Sequence, residues 1–252
     1  MEIPLDRPVA VIADVHGNSD ALIAVLADID AEGIETILNL GDHFSGPLAA
    51  AETAEILARR EMTSIRGNHD RWLIEQAPEA MGPSDRAAYD QLDPGALDLL
   101  RAMPATRRLG DEIFMCHGTP GSDTDYWLER VAPDGAILLR DREGIEAAAD
   151  RIPSPLILCG HTHTARAIRL ADGRLIVNPG SVGLPAYDDD APVPHVVEAG
   201  SPDARYAVMR RVDGLWRAEL RALPYDASRM AKLAAEAGRP EWSAAVSTGR
   251  LA

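Results

Sequence analysis

The first third of the chain alternates short apolar segments with longer segments in which apolar residues recur at helical spacing. Residues 8–13 are almost uniformly apolar and are followed by polar residues, a pattern typical of a strand buried on both faces of a sheet. Asn18 or Ser19 then caps a predicted helix, and Gly33 ends it. This strand and helix form the first unit of a repeating pattern.

The second unit follows directly. It predicts a strand at 36–40, a helix from Pro47 to about residue 60 and a third strand at 62–66. Strands that alternate with helices in this way form parallel βαβ units. In parallel α/β sheets, ligands bind beyond the carboxyl ends of the strands. The polar residues after each strand are therefore the candidates for chemistry.

The middle of the chain predicts two excursions from this core. Residues 72–103 have a helical pattern interrupted by prolines, and we expect them to form a helical insertion over one edge. Residues 107–116 predict a hairpin around Gly110-Asp111. Residues 120–153 are rich in Asp, Gly and Pro and contain one predicted helix near 144–151. We expect them to be a lid-like insertion, because long insertions at strand ends often form substrate walls.

Antiparallel signals dominate the later part of the chain. Asp172-Gly173 and Asp213-Gly214 are predicted hairpin turns, whereas residues 188–190 are expected to be a solvated loop. A second sheet packed on the first would complete an α/β fold. The predicted strands are 156–159, 165–170, 174–177, 204–212 and 215–223.

We expect one domain over residues 1–252, because α/β folds commonly reach this length as a single core. Its C-terminal tail, 226–252, is predicted to be helical. Asp226 caps the first tail helix, and Gly238 and Pro240 end it.

Composition and charge limit the classes of partner that the chain can bind. The net charge of −15 disfavours long nucleic acid, although bound divalent cations would still admit a small anionic substrate. Residues 1–7 lack a basic leader and no apolar run reaches about 18 residues, so we expect a cytoplasmic protein without a membrane segment. Cys116 and Cys159 each end an apolar segment and are expected to be reduced and buried. A disulfide is the alternative if their strands are neighbours.

Polar clusters follow the predicted strands and supply candidate metal ligands. Two nearby divalent ions need a bridging carboxylate, for which Asp42 is the candidate. Asp14 and His16 are two residues apart on an extended segment and could reach one ion, and His161 and His163 have the same spacing. Imidazole mixed with carboxylate suits Mn, Fe or Zn better than Mg or Ca. The remaining cluster residues are Asn68, His69, Asp70 and His117.

The series Asp-x-His, Gly-Asp, Gly-Asn-His-Asp, His-Gly and Gly-His-Thr-His resembles the calcineurin-like metallophosphoesterase superfamily. The resemblance covers residues 9–183, and residues 178–183 are similar to a segment of its small bacterial phosphodiesterase-type members. It implies a four-layer fold in which two mixed β-sheets pack as a sandwich flanked by helices.

The resemblance also implies a site with two divalent metal ions, chosen among Mn, Fe, Zn and Ni, with Mn favoured. It implies in-line attack on phosphorus by a metal-bridging water. His69 would protonate the leaving oxygen, and Asp70 would hold its imidazole. The implied ligands are Asp14, His16, Asp42 and His163 for the first metal, and Asp42, Asn68, His117 and His161 for the second.

Several of these residues have structural alternatives. Asp70 could instead cap a helix that begins near residue 71, and Asn18 could cap a helix instead of contacting a phosphate. Arg66 could form a surface ion pair instead of a phosphate contact. His43 has no role in the family pattern and is either a loop residue or a substrate contact. His195 is expected at the surface.

The departures from the family pattern limit the class of substrate. Protein phosphatases in this superfamily carry an arginine shortly after Gly-Asp, where this chain has residues 43–47 without one. We therefore expect hydrolysis of a small phosphodiester or nucleotide. The alternatives are an asymmetrical dinucleoside polyphosphate hydrolase and, in a different class, a catalytically idle metal-binding scaffold for a protein partner. The oligomeric state cannot be read from the sequence.

Overall fold

The computed structural model describes residues 6–251. Residues 1–5 lie outside the described part, as does residue 252. The prediction that residues 1–7 lack a basic leader therefore falls mostly outside the described residues. The strands are β1 (Val9–Ile12), β2 (Thr36–Asn39), β3 (Thr63–Ser64), β4 (Arg107–Leu109), β5 (Ile113–Met115), β6 (Glu129–Val131), β7 (Ile137–Leu139), β8 (Leu156–Leu158), β9 (Arg166–Arg169), β10 (Leu175–Asn178), β11 (Ala186–Asp189), β12 (His195–Glu198), β13 (Ala204–Val212) and β14 (Leu215–Leu223).

Helices flank these strands, and a short 3₁₀ turn at Pro78–Ala80 separates two of them. The helices are α1 (Ser19–Ala31), α2 (Ala50–Ala58), α3 (Asn68–Glu75), α4 (Pro83–Tyr89), α5 (Pro94–Ala102), α6 (Arg142–Ala149), α7 (Ser228–Glu236) and α8 (Pro240–Thr248). In residues 6–251, none of them combines the length and apolarity needed to cross a bilayer.

Two mixed sheets form the centre of the molecule. The first has the order β14-β13-β1-β2-β3, and the second has the order β4-β5-β8-β10-β9. Strands β1, β2 and β3 are parallel, whereas β13 runs antiparallel to β1. In the second sheet, β5, β8 and β10 are parallel and the two edge strands are antiparallel.

Alternation along each strand divides the core into layers, because successive side chains point to opposite faces of a sheet. Val9 and Val11 pack between the two sheets, and Ala10 and Ile12 pack against α1 and its neighbours. On the second sheet, the outward-facing Ile157 packs against α6. The layers are thus helix, sheet, sheet and helix, which confirms the predicted fold class.

Some local predictions differ from the structure. Strand β8 is parallel to both of its neighbours, although antiparallel signals were expected after residue 156. The first tail helix ends before Gly238 as expected, but Pro240, which was expected to belong to its stop, opens the second tail helix α8, because proline at the first helical position loses no hydrogen bond. Asp226 accepts a hydrogen bond from the Ser228 amide, one residue before the N-cap of α7.

Two short hairpins were not predicted. Strands β6 and β7 pair within the 120–153 insertion, and β11 pairs with β12. Part of the expected 188–190 loop therefore belongs to β11. Each of these strands has only three or four residues, too few for a period-2 pattern to stand out.

Cys116 and Cys159 are free, buried thiols. They follow β5 and β8, which are paired neighbours, and the Cys116 amide donates to Leu158 O at 3.0 Å. The reduced form expected from the sequence is the form present.

Candidate metal centre

The predicted ligands meet at one edge of the paired sheets. Asp14 and His16 follow β1, Asp42 follows β2, His117 follows β5, and His161 and His163 follow β8. Their ligand atoms form two groups, within each of which all atoms lie within 4.8 Å of one another. The groups are Asp14, His16 and His163, and Asp42, His117 and His161.

Asp42 lies between the two groups. Its Oδ2 is 3.2 Å from His117 Nε2 in its own group and 3.8 Å from His16 Nε2 in the other. His117 Nε2 is also 3.8 Å from Asp14 Oδ1. Asn68 begins α3 and is buried, with its Oδ1 unpartnered. The arrangement suits Asp42 to the bridging position expected from the sequence.

The backbone is strained at five of these positions. Asp14, His16, Asp42, His161 and His163 have φ values of 55°, 50°, 57°, 69° and 53°. Non-glycine residues rarely adopt this left-handed region, and each instance costs on the order of 1–3 kcal/mol and tends to cluster at functional sites. Adjacent loops hold the strain in place, since the Asp14 amide donates to Gly41 O and the His16 amide to Asp42 O.

A backbone carbonyl orients each histidine of the two groups. Since a carbonyl only accepts, the ring nitrogen that faces it carries the hydrogen, and the other nitrogen is a free lone pair. Metal-binding histidines are held in this manner. The contacts are His16 Nδ1 to Ser45 O at 2.9 Å, His117 Nδ1 to Leu40 O at 2.8 Å, His161 Nε2 to Thr124 O at 2.9 Å and His163 Nδ1 to Leu184 O at 2.7 Å.

The free atoms of this cluster fit a cation. His16 Nε2 and His163 Nε2 are 3.2 Å apart, although both are lone pairs and repel without a positive charge nearby. Both carboxylate oxygens of Asp14 and Nε2 of His117 are buried without a hydrogen-bond partner. Such orphaned polar atoms are costly unless something satisfies them, and a divalent ion does so for all of them at once.

Electrostatics support the same conclusion. Burial raises the pKa of Asp14 to about 8, with the neighbouring Asp42 charge adding to it. Burial also lowers the pKa of His16 to about 4 and that of His161 to about 3, so both imidazoles are neutral and able to coordinate. The opposing charge of His117 does not offset this burial, and a divalent ion beside Asp14 would favour its ionised form.

His69 differs from the other histidines of the cluster, because its Nδ1 contacts a carboxylate. Asp85 Oδ1, in α4, lies 2.7 Å from it. Burial alone lowers the pKa of His69, but the charges of Asp42 and Asp85 outweigh burial and raise it to about 9. His69 is thus held in its protonated form, whereas the candidate ligands His16, His161 and His163 are held neutral. The fourth candidate, His117, faces Asp42, whose charge outweighs burial and raises the pKa of His117 to about 10, so metal binding there would release a proton.

The prediction that Asp70 holds the His69 imidazole is wrong. Helix α3 begins at Asn68, so Asp70 occupies its third position and folds back onto the Gly67 amide at 2.9 Å. It also accepts from the backbone of Asp42 and contacts His43 Nδ1, both at 2.8 Å. The alternative, in which Asp70 caps a helix, is the one observed, although the helix starts earlier than expected.

A cavity of about 970 Å³ opens over the cluster. The 120–153 insertion contributes Tyr126 to its wall, α3 contributes Trp72, and α8 contributes Trp242. The Trp242 ring lies 6.1 Å from the His16 ring and packs over Gly46, where a Cβ would come within 2.6 Å of the indole. The cluster is therefore accessible, and several aromatic side chains lie around it.

The family model for the calcineurin-like phosphoesterase superfamily domain matches residues 8–198. The chain belongs to the calcineurin-like phosphoesterase superfamily. This phosphoesterase is similar to the metallophosphoesterase from Sphaerobacter thermophilus, with a TM-score of 0.73 and 25% identity over 96% of this chain and 99% of the other. The resemblance read from the sequence is confirmed, and the chain is a phosphoesterase hydrolase of a metal-dependent family.

Two further proteins are similar to this chain over almost all of its length. A hypothetical protein from Pyrococcus horikoshii OT3 has a TM-score of 0.71 and 21% identity, over 97% of this chain and 99% of its own. An uncharacterized protein from Methanocaldococcus jannaschii is 24% identical over 93% of this chain and 94% of its own length. Both matches extend beyond residue 198 and so include the C-terminal part of the phosphoesterase.

The three residues that were weaker candidates for substrate contacts do not line the cavity. Asn18 is fully buried and caps α1, while its amide group donates to Gly183 O and to the Tyr225 hydroxyl. His43 is buried against Asp70, behind the cluster. Arg66 does not line the cavity, and among residues 6–251 it forms no ion pair either. Loop residues after a strand point to either side of it, which spacing alone does not reveal.

Residues 178–183 support the Asp14 loop. The Ser181 hydroxyl and the Gly183 amide both donate to Asp14 O, at 2.7 and 3.0 Å. A Cβ at Gly183 would lie 1.8 Å from Val15 O, so only glycine allows this approach.

The 120–153 insertion also supports the Gly-His-Thr-His segment. Its buried carboxylate, Glu129, accepts a hydrogen bond at 2.8 Å from Oγ1 of Thr162, which lies between the two histidines.

Proposed function

We propose that this phosphoesterase hydrolyses a small phosphodiester or nucleotide substrate at a centre of two divalent metal ions. The observation that carries the proposal is the contrast among five histidines. Four of them have one ring nitrogen against a backbone carbonyl and the other turned to the cluster, whereas His69 has no carbonyl partner and its Nδ1 contacts Asp85 instead. Such a site combines metal ligands with one acid.

The ligand assignment follows the predicted one. Each ion would have four protein ligands, with Asp42 shared. The first ion would be held by Asp14, His16, Asp42 and His163, and the second by Asp42, Asn68, His117 and His161. When bound, such ions activate water for attack on phosphorus and offset the charge of the phosphoryl oxygens. Mn is the favoured metal, with Fe, Zn and Ni as the others to compare.

His69 supplies the proton. Asp85 occupies Nδ1, which leaves Nε2 as the donor, and His69 lines the cavity beside the cluster. A protonated imidazole at this position can pass its proton to the leaving oxygen as the ester bond breaks. Asp85 acts through His69, by fixing the ring and stabilising its positive charge.

The size of the cavity favours an ester larger than inorganic phosphate. Pockets of roughly 300–1,000 Å³ accommodate drug-sized ligands, and this cavity of about 970 Å³ lies near the upper end. Its aromatic lining suits an organic group on the phosphate. A dinucleoside polyphosphate remains the alternative substrate.

The test is hydrolysis of bis(p-nitrophenyl) phosphate by protein stripped of metal and reloaded with Mn, Fe, Zn or Ni. We expect Mn-dependent turnover and a severe loss in His69→Ala without loss of bound metal. A panel of cyclic nucleotides, dinucleoside polyphosphates and phosphomonoesters then defines the substrate class. Metal-loaded protein that binds a protein partner but hydrolyses nothing in this panel would support the scaffold alternative instead.

A further inference from the structure

Three side chains form a continuous hydrogen-bonded row along one wall of the cavity. The Tyr187 hydroxyl lies 2.6 Å from the Tyr126 hydroxyl, which lies 2.8 Å from His195 Nε2. The Tyr187 ring packs against His163, with ring centres 4.7 Å apart, and the Tyr126 ring packs against His161 at 5.3 Å. The row therefore directly adjoins the candidate metal centre.

His195 was expected at the surface, but it is 5% exposed and belongs to β12. Its Nδ1 lies 2.8 Å from Val193 O. Since a carbonyl only accepts, Nδ1 carries the hydrogen of the neutral ring, and Nε2 is left as an acceptor. The orientation of the whole row follows from this one contact.

The hydrogens can be assigned along the row in turn. Tyr126 has a single hydroxyl hydrogen and donates it to His195 Nε2. In its contact with Tyr187, the Tyr126 oxygen must therefore accept a hydrogen bond. Tyr187 donates its own single hydrogen to Tyr126. The Tyr187 oxygen keeps its remaining lone pair and has no hydrogen left to offer. The end of the row beside His163 is thus an acceptor only.

An acceptor at this position discriminates among substrates. It repels an unprotonated phosphate oxygen, which is also an acceptor, and it binds an O–H or N–H group. Asp188 and Asp189 line the same part of the cavity and add to the preference for donors. Trp72 and Trp242 also line the cavity and offer aromatic surface to a base.

We propose that the Tyr187–Tyr126–His195 row is a subsite for a ribose hydroxyl, so that the substrates are ribonucleotide-type phosphoesters. This inference rests on the proposed function. Tyr187 would be its specificity-determining residue, and Tyr126 and His195 would set the direction of its hydrogen bond.

Three substrates that differ only in the sugar test the subsite. They are the p-nitrophenyl ester of uridine 5′-phosphate, its 2′,3′-dideoxy analogue and its 2′,3′-di-O-methyl analogue. The first can donate and accept, the second can do neither, and the third can only accept. We expect the Mn-loaded protein to prefer the ribose ester over both analogues by about threefold to tenfold in kcat/KM, the range of one hydrogen bond.

Two variants test the direction of the row. In Tyr187→Phe the acceptor is lost, and the preference for the ribose ester should fall to near one. In Tyr126→Phe the Tyr187 hydrogen is released toward the substrate, so the di-O-methyl ester should gain on the dideoxy ester. Tyr206→Phe is the matched control, because its hydroxyl contacts Asp28 and Arg221 instead of the cavity, and its preference should match that of the unmodified protein.

Equal kcat/KM values for the three esters in the unmodified protein would overturn the subsite while leaving phosphoester hydrolysis intact. This comparison needs no variant, so a variant that fails to fold does not affect it. Absence of turnover with both bis(p-nitrophenyl) phosphate and the uridine esters would instead contradict the proposed function, and the subsite with it.

Discussion

Asp70 and Asp85 carry the same functional group but take different roles, because each contacts different partners. Asp70 faces backbone amides and His43, and Asp85 faces His69. The first carboxylate therefore maintains the loop that carries Asp42, and the second maintains the acid. Substitution of each should affect a different property of the protein.

Asp85→Asn should reduce activity without loss of metal. The substitution removes the charge that favours protonated His69, so the proton donor is weakened by about tenfold to a hundredfold in kcat. The loss should be larger for phenyl than for p-nitrophenyl esters, because a poorer leaving group needs the proton more. Asp90→Asn, at the exposed end of the same helix, is the control. An equal loss for both leaving groups would argue against His69 as the acid.

Asp70→Asn should instead reduce stability. Asp70 is fully buried and accepts from the amides of Asp42 and Gly67, and leaving a buried donor without its acceptor costs about 1–3 kcal/mol. The free energy of unfolding in urea is the measurement, with Asp85→Asn compared under the same conditions. If the two variants unfold at the same urea concentration, the separate roles assigned to these carboxylates are wrong.

The elements that position the site are short strands followed by loops with a strained, closely packed backbone. The apolar pattern predicts β1 and β2 because both are buried on each face, and the metal motifs are visible because their ligands are local in sequence. Asp85 was missed, since one acidic residue in a surface-type helix carries no signal of what it contacts. The β11–β12 hairpin and the burial of His195 were missed because pairing between short strands depends on their partners, not on their own residues.

Gly183→Ala should disrupt the Asp14 loop. The added methyl group would lie 1.8 Å from Val15 O and 2.7 Å from Asn18 Cβ, and overpacking of this kind costs about 1–3 kcal/mol. We expect weaker metal binding, measured by titration with Mn, together with a lower urea midpoint. Gly121→Ala is the control, because nothing lies within 4 Å of a Cβ there. Metal affinity equal to that of the control would contradict the support role of residues 178–183.

The paired strands β5 and β8 should protect both thiols. Burial raises the pKa of Cys116 and Cys159, so both remain protonated at pH 8, and the thiolate is the reactive form. We expect no alkylation by iodoacetamide in the folded protein and two additions, detected by mass spectrometry, in urea. Modification that precedes any loss of circular dichroism would show that the carboxyl ends of β5 and β8 open locally.

At the scale of the whole molecule, metal binding and stability should be coupled. The chain has a net charge of −15, and the folded state buries the carboxyl groups of Asp14 and Asp42 at one centre. A ligand that binds only the folded state at 100 times its Kd stabilises it by about 2.7 kcal/mol per site. Mn should therefore raise Tm, and EDTA should reverse the effect. Asp42→Asn should respond much less, and a Tm independent of Mn in the unmodified protein would contradict metal binding at this centre.

The centre also constrains how the chain reaches its native state. His16 and His163, whose ring nitrogens are 3.2 Å apart, are separated by 147 positions in the sequence, and Ser181 and Asp14 by 167. Contacts between such distant segments form slowly, because a long loop must be closed before they stabilise anything. Metal therefore cannot serve as an early nucleus for folding. It binds a scaffold that hydrophobic packing between the two sheets has already assembled, and the metal-free protein should fold to the same architecture before it becomes active.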